Sequence, residues 1–232
     1  MKKISFTSIF HRLIMPALVF LLFFWILPWV TSMIMNFLHL SLYTGYQGWA
    51  LINLLLYIIP IIFLAIYLKK NTNHEILEKP KITNLLISLC FVILNFVLVM
   101  VAHKFLPTPV ASNQNDILNM LNNSSTLGVQ LELLSMTVFG PIFEELMCRG
   151  LLMNFYFKNS KYGFDIILST VIFAALHQHQ NLLVLLPYLV TGLLLGILYR
   201  LTGKVQYSML THMLVNTIVA WPFIQDNILI FL

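Results

Sequence analysis

The sequence predicts an all-α membrane protein, a polytopic bundle of transmembrane helices. Of its 232 residues, 59% are hydrophobic and only 9% are charged, whereas about 25% of the residues of an average soluble domain are charged. Residues 13–68 include no charged side chain. This stretch is much longer than the about 20 residues that one helix needs to cross a bilayer. This stretch therefore holds two spans, joined by a turn within residues 36–48.

Polar interruptions divide the chain into about seven predicted spans. Residues 107–125 form a long polar stretch, which we interpret as an external loop, although an eighth crossing or a re-entrant piece there stays open. The loop separates N-terminal transmembrane helices, within residues 1–125, from a C-terminal core of four spans, within residues 126–232. The predicted spans are 13–35, 48–68, 84–103, 133–157, 163–181, 182–200 and 205–222.

Most basic residues lie in the short loops, which is the pattern that sets orientation in a membrane. With the N-terminus in the cytoplasm, eleven of them fall on the cytoplasmic side, and Lys104 falls outside. The net charge of +5 therefore indicates membrane orientation and gives no reason to expect a nucleic-acid partner. The eleven residues are Lys2, Lys3, Arg12, Lys69, Lys70, Lys79, Lys81, Lys158, Lys161, Arg200 and Lys204.

The fourth predicted span carries three ionisable residues, Glu144, Glu145 and Arg149. Each such group costs about 2.5–3.5 kcal/mol to insert, so ionisable residues within a span indicate a functional site. Glu145 and Arg149 are four residues apart and share a helical face, where they can pair. Glu144 is rotated by about 100° from Glu145 and lacks that partner, which suits a general base. The alternative is a structural ion pair beside an unused glutamate.

Histidines in the fifth and seventh spans are placed to join Glu144. His177 and Glu144 each lie 14 residues from the cytoplasmic turn between their spans, or about 21 Å along a helix. Their side chains are therefore predicted to meet if the two helices pack as an antiparallel pair. His212 and Asn216 share one face of the seventh span, about 12 and 18 Å from the turn at Lys204. The alternative for these two is a pair that only hydrogen-bonds a neighbouring helix.

A carboxylate, two imidazoles and an amide in an enclosed site suit peptide hydrolysis. Glu144 with His177 can deprotonate a water, and His212 with Asn216 can donate hydrogen bonds to an oxyanion. The same Glu144, His177 and His212 can instead bind zinc. The helical H-E-x-x-H zinc signature is absent, so a metal-free mechanism is favoured. Cys148 is disfavoured as a nucleophile, because no helix N-terminus lies near it to favour the thiolate.

Three motifs in order resemble those of a known family, the CPBP or Abi family of intramembrane endopeptidases, which includes CAAX prenyl proteases and bacteriocin-processing proteins. Its pattern is E-E-x(3)-R, then F-x(3)-H, then H-x(3)-N, and the likeness covers about residues 133–221. Bacterial members usually carry an aromatic residue where this chain has Cys148. The matching residues are Glu144, Glu145 and Arg149, then Phe173 and His177, then His212 and Asn216.

The resemblance implies an intramembrane protease in which Glu144 and His177 activate water, while His212 and Asn216 stabilise the oxyanion. Glu145, Arg149 and Phe173 would support them. The high content of Ile, Asn and Lys is similar to that of proteins from AT-rich bacteria, so the bacterial plasma membrane is expected. A bacterial member implies a peptide or membrane-associated precursor as partner, in bacteriocin or quorum-sensing peptide maturation or in self-immunity.

Two alternatives from other functional classes stay open at this point. One is a non-catalytic membrane scaffold or immunity protein that binds a peptide or a transporter. The other is a small proton-coupled transporter, although no repeat of spans supports it. The sequence leaves the oligomeric state open.

Overall fold

The described part of the chain is all-helical, as the sequence predicts. In this computed structural model it consists of helices and short turns, and these residues form no β-strand. The predicted first span, 13–35, and the predicted external loop, 107–125, lie outside it, apart from two residues that are helical. The structure describes Leu18, Met33 and residues 45–72, 76–105, 126–157, 160, 162–177 and 182–228.

Residues 126–156 form one continuous helical segment, which we call the long helix, and in it α-helix alternates with π-helix. Helices suit a lipid environment because they satisfy the backbone N–H and C=O groups internally. In chain order the elements are α1 (Gly45–Asn71), α2 (Ile82–Phe105), α3 (Thr126–Leu134), a first π-helix (Ser135–Phe139), α4 (Gly140–Glu145), a second π-helix (Leu146–Tyr156), α5 (Phe164–Ala175), a 3-10 helix (Leu182–Leu185), α6 (Leu186–Thr202) and α7 (Val205–Ile228).

Within the described residues, three helical stretches are long and apolar enough to cross a membrane. The apolar helix α5 is shorter, with 12 residues. On α2, large apolar side chains such as Ile93 and Met100 are 65% and 64% exposed, which suits contact with lipid. The structure thus supports a membrane protein, while the count of seven spans stays a prediction. The three stretches are Leu54–Asn71, Ile82–Lys104 and Leu183–Thr202.

The predicted fifth span, 163–181, is wrong at its C-terminal end. α5 ends at Ala175, and His177 lies in the turn that follows. The N–H of His177 bonds to the carbonyl of Ala174, three residues back, at 3.0 Å, and the ring nitrogen Nδ1 bonds to the carbonyl of Phe173 at 2.8 Å. Because a side chain bound to the backbone in this way competes with the helical pattern, the α-helix stops here.

The α1–α2 and α6–α7 connections lie at the same end of the bundle. The carboxylate of Glu78 pairs with Lys204, and the N–H of Glu78 donates to Oε1 of Gln206 at 2.6 Å. The N–H of Lys81 donates to the hydroxyl of Tyr207 at 2.8 Å. We call these contacts the loop clamp. They place Lys81 and Lys204 on one side, as predicted; that this side is cytoplasmic stays a prediction.

Two glycines let α6 approach α5 closely. A Cβ on Gly192 would lie 3.0 Å from Cδ1 of Phe173 and 3.3 Å from the Cα of Thr170, and a Cβ on Gly196 would lie 3.1 Å from Cγ2 of Ile166. Small residues four apart are a common means of bringing membrane helices together. The backbone of α6 therefore lies directly against α5, with Gly196 at Ile166 near the start of α5 and Gly192 at Phe173 near its end.

The predicted orientation has a direct test in the loop clamp. In a chain whose Cys90 and Cys148 are replaced by serine and alanine, a Lys79→Cys variant should react with a membrane-impermeant maleimide only from the cytoplasmic side, because its loop carries the basic residues. Lys104→Cys, at the other end of α2, is the reference and should react only from outside. Labelling of spheroplasts and of inverted vesicles distinguishes the two sides. Labelling of both cysteines from one side would contradict the predicted topology.

Candidate active site

Three polar side chains from separate parts of the bundle meet around one carboxylate oxygen. Oε2 of Glu144 lies 3.5 Å from Nε2 of His177 and 3.9 Å from Nε2 of His212. Glu144 belongs to α4, His177 follows α5, and His212 belongs to α7. The side chains of Glu144 and His177 are 16% and 20% exposed, and that of His212 is 2% exposed. The structure thus brings together three predicted residues, and Oε2 of Glu144 is itself buried, while other atoms of the Glu144 and His177 side chains keep some exposed surface.

His177 presents Nε2 to Glu144 because its other ring nitrogen is bound to the backbone. The carbonyl of Phe173 can only accept a hydrogen bond, so Nδ1 of His177 carries the hydrogen. In the neutral ring Nε2 is then an acceptor. Its distance of 3.5 Å from Glu144 is longer than a direct N–H···O hydrogen bond. Two acceptors at this separation suit a molecule that donates to both of them, such as water.

His212 is oriented by a buried ion pair. Oε1 of Glu145 lies 3.2 Å from Nδ1 of His212 and accepts a 2.7 Å hydrogen bond from Nη1 of Arg149. Nη2 of Arg149 donates to the carbonyl of Gly192 at 2.6 Å. The side chains of Glu145 and Arg149 have no exposed surface. A carboxylate on one ring nitrogen fixes the orientation of a histidine, so His212 directs Nε2 toward Glu144.

The ring of Phe173, one helical turn before His177, packs between the groups of the site. Its ring centroid lies 4.7 Å from that of His177 and 5.4 Å from that of His212, which it meets edge to face. The guanidinium carbon of Arg149 lies 5.3 Å from the same ring centroid. Phe173 is 1% exposed. One buried ring thus contacts both histidines and the ion pair, and it keeps the two histidines at a fixed spacing.

Asn216 uses one amide hydrogen in a contact with the backbone of the long helix. Its amide nitrogen donates to the carbonyl of Met136 at 2.9 Å. In the first π-helix the N–H of Gly140 bonds to Ser135, five residues back, and in the same pattern Met136 would bond to residue 141. That residue is Pro141, which has no N–H. Asn216 therefore satisfies a carbonyl that proline leaves open and holds α7 against the turn before Glu144.

Sequence reasoning did not identify three contributions to the site. The first is Gly192, whose carbonyl binds Arg149. The sequence indicated a close helix contact there, since Gly192 and Gly196 form a small-xxx-small pattern in α6. The second is the carbonyl of Met136, which the sequence indicated only indirectly, through Pro141. The third is Tyr188, whose ring stacks on that of His177 with centroids 4.4 Å apart and planes 27° apart. No sequence pattern indicated this contact.

The predicted zinc alternative concerns the same three residues. Zinc sites of the His₂Glu type need bonds of about 2.0–2.2 Å to each ligand. Across the described ranges, no three His, Cys, Asp or Glu side chains are grouped so that they could hold a metal ion. Cys148, the disfavoured nucleophile, is fully buried.

The C-terminal part of the chain matches a protease family. Residues 126–218 match the type II CAAX prenyl endopeptidase Rce1-like family. A stretch of 91 residues is 29% identical to YdiL of Bacillus subtilis (strain 168), which is described as an inferred membrane peptidase; it covers 39% of this chain and 36% of that relative. No solved structure shows a significant match. These findings support the CPBP family that the three motifs predict.

The buried ion pair should contribute strongly to stability. Breaking such a pair by removing one partner typically costs about 3–5 kcal/mol, because the other charge is left uncompensated. We expect Arg149→Leu to lower the free energy of unfolding in mixed micelles by that amount. Arg149→Lys should lie between this variant and the native chain, because an ammonium cannot reproduce the forked contacts. Lys70→Leu, at an exposed position, is the control. Equal stability of the Arg149→Leu variant and the native chain would contradict this assignment.

Proposed function

We propose that the protein is an intramembrane endopeptidase that hydrolyses peptide bonds of a small peptide or membrane-associated precursor at or in the bilayer. The observation that carries the proposal is the convergence of Oε2 of Glu144 with Nε2 of His177 and of His212, at 3.5 and 3.9 Å. The family match and the relative support a membrane protease in general. The step beyond them is the assignment of roles to these residues.

The first role is activation of water by Glu144 and His177. A water between Oε2 of Glu144 and Nε2 of His177 would donate one hydrogen bond to each. As its oxygen attacks the scissile carbonyl carbon, its proton passes to the carboxylate of Glu144, which acts as general base. His177 keeps the oxygen lone pair directed at the carbonyl. Both side chains keep some exposed surface, although Oε2 of Glu144 is itself buried.

The second role is stabilisation of the tetrahedral intermediate by His212. Because Nδ1 of His212 faces Glu145, a protonated His212 presents an N–H at Nε2 to the oxygen that becomes negative. Donors fixed in advance in a water-poor site stabilise such an oxyanion strongly. Collapse of the intermediate breaks the C–N bond, and the proton held by Glu144 passes to the leaving amine. Proton and charge are then restored to their starting positions.

Asn216 enters this scheme through the role that the family resemblance implies for it. One of its two amide hydrogens is directed at the carbonyl of Met136, and the proposal assigns the other to the substrate oxygen. The proposed oxyanion role of Asn216 thus depends on that second hydrogen. Its first hydrogen fixes the side chain, which favours a preorganised donor over a mobile one.

The proposed substrate class follows from the resemblance to the bacterial branch of the family. We propose a role in the bacterial plasma membrane, with the N-terminus in the cytoplasm, in maturation of a bacteriocin or quorum-sensing peptide or in self-immunity to one. The exposed apolar side chains of α2 suit the membrane location that this proposal requires.

Removal of the general base tests the proposal directly. Glu144→Gln and His177→Ala should each lower cleavage by about 10²–10⁴-fold, which is the usual contribution of general acid–base catalysis. The assay uses native and variant chains in phospholipid vesicles with a pool of internally quenched peptides. Glu78→Gln, the same chemical change in the loop clamp, is the control and should cut normally. Both site variants cutting at the native rate would refute the mechanism and favour the scaffold alternative.

Metal dependence is tested separately. The proposal routes no step through a metal, so activity should survive exhaustive chelation with 1,10-phenanthroline, and elemental analysis of the active protein should give far less zinc than one ion per chain. If chelation abolishes cleavage and added Zn²⁺ restores it, Glu144, His177 and His212 act as metal ligands instead.

A further inference from the structure

The imidazole of His177 lies between two aromatic rings. Phe173 contacts it with centroids 4.7 Å apart and planes at 42°, and Tyr188 contacts it with centroids 4.4 Å apart and planes at 27°. We propose that Tyr188 is a positioning residue, whose ring holds His177 with Nε2 directed at Glu144. This inference rests on the proposed hydrolytic function, because it concerns the orientation of a group that would act on water.

His177 needs such support because it lies beyond the end of α5, in a turn. The bond from Nδ1 to the carbonyl of Phe173 fixes one ring atom, and the plane of the ring depends further on the groups that pack against its two faces. A swing of the ring would carry Nε2 away from Glu144. A ring stacked flat against the imidazole blocks this motion, so the bond and the stack together define both the position and the plane of the ring.

Tyr188 is itself held at a rigid place in the fold. It lies in the first turn of α6, directly after Pro187, whose fixed φ suits the start of a helix. Gly192 lies four residues further on, and side chains four apart share a face of a helix. The carbonyl of Gly192 binds Arg149, and its missing side chain admits Phe173. One face of α6 thus supports both His177 and the buried ion pair.

The stack requires a ring and not a hydroxyl. Offset aromatic pairs gain from dispersion and quadrupole contacts between the rings, and phenylalanine offers the same face as tyrosine. Phenylalanine at position 188 should therefore preserve the orientation of His177, whereas an aliphatic residue of similar bulk should lose it. This contrast separates a positioning role from simple filling of space.

The experiment compares Tyr188→Leu, Tyr188→Met and Tyr188→Phe with the native chain, and Tyr162→Leu is the control because Tyr162 is 99% exposed. The protein carries isotope-labelled histidine in detergent micelles, and the His177 signals are assigned from a His177→Gln variant. Aromatic rings stacked on an imidazole shift its proton resonances upfield. The same variants are assayed for kcat and KM with the pool of quenched peptides.

In the Leu and Met variants we expect the His177 ring protons to move downfield and kcat to fall about 10-fold, with little change in KM, because a catalytic group is displaced while binding is retained. Tyr188→Phe and Tyr162→Leu should keep native shifts and native kcat. The Met variant retains bulk if the Leu variant is too unstable to purify.

Unmoved His177 resonances in the Met variant, or a Phe variant that loses activity as far as the Met variant does, would overturn the proposal. The resonances need no substrate. If Glu144→Gln still cut normally, the hydrolytic mechanism would fail, while the resonances would still show whether Tyr188 orients His177.

Discussion

The contacts among Glu145, Arg149 and His212 connect separate helices at one buried carboxylate. Glu145 has no exposed surface, and a carboxylate in such a setting must be balanced by charges and hydrogen bonds that the protein itself provides. Arg149 comes from the second π-helix and His212 from α7, and Arg149 also binds the backbone of α6 at Gly192. A shift of α6 or α7 relative to the long helix would break one of these contacts and leave a buried group uncompensated. The register of α4, α6 and α7 is therefore set by electrostatics as well as by packing.

This arrangement gives two adjacent glutamates different surroundings. Glu145 is enclosed by Arg149 and His212, whereas Glu144 faces Nε2 of both histidines and keeps part of its surface exposed. One residue along a helix is a rotation of about 100°, which is enough to place one carboxylate in the structural network and the other opposite Nε2 of His177. His212 belongs to both environments, since each of its ring nitrogens faces one of the two carboxylates. The structural pair thereby orients a group of the proposed catalytic set.

The meeting of Glu144 with His177 was predictable because it depends on distances along the chain. Both residues lie 14 residues from the turn between their helices, so they reach about the same depth. The π-helix after Glu144 and the early end of α5 change these distances too little to separate the two side chains. The pairing of Glu145 with Arg149 was predictable from their spacing.

The contact of Asn216 was not predictable from the sequence. It depends on which carbonyl Pro141 leaves without a donor, and that depends on a π-helical pattern that no residue type specifies. The stack of Tyr188 on His177 needs the three-dimensional path of residues that follow α5, so spacing alone could not reveal it. The resemblance to the family depends on the three motifs, which are short patterns that can be read directly from the chain.

The two π-helices in the long helix have a consequence for how the site tolerates changes in chain length. A π-helical turn accommodates one residue more than an α-helical turn, so the first π-helix, Ser135–Phe139, sets the angular phase of everything that follows it. Loss of a single residue there would let the segment relax to α-helix, and because the π-helical turn holds that residue in excess, the residues beyond it would keep nearly their present direction relative to α3. Loss of a residue from α4 before Glu144 would instead turn the residues that follow by about 100°, and Glu145 would take the direction that Glu144 now has. The same deletion is therefore mild in the π-helix and severe in the α-helix that follows it.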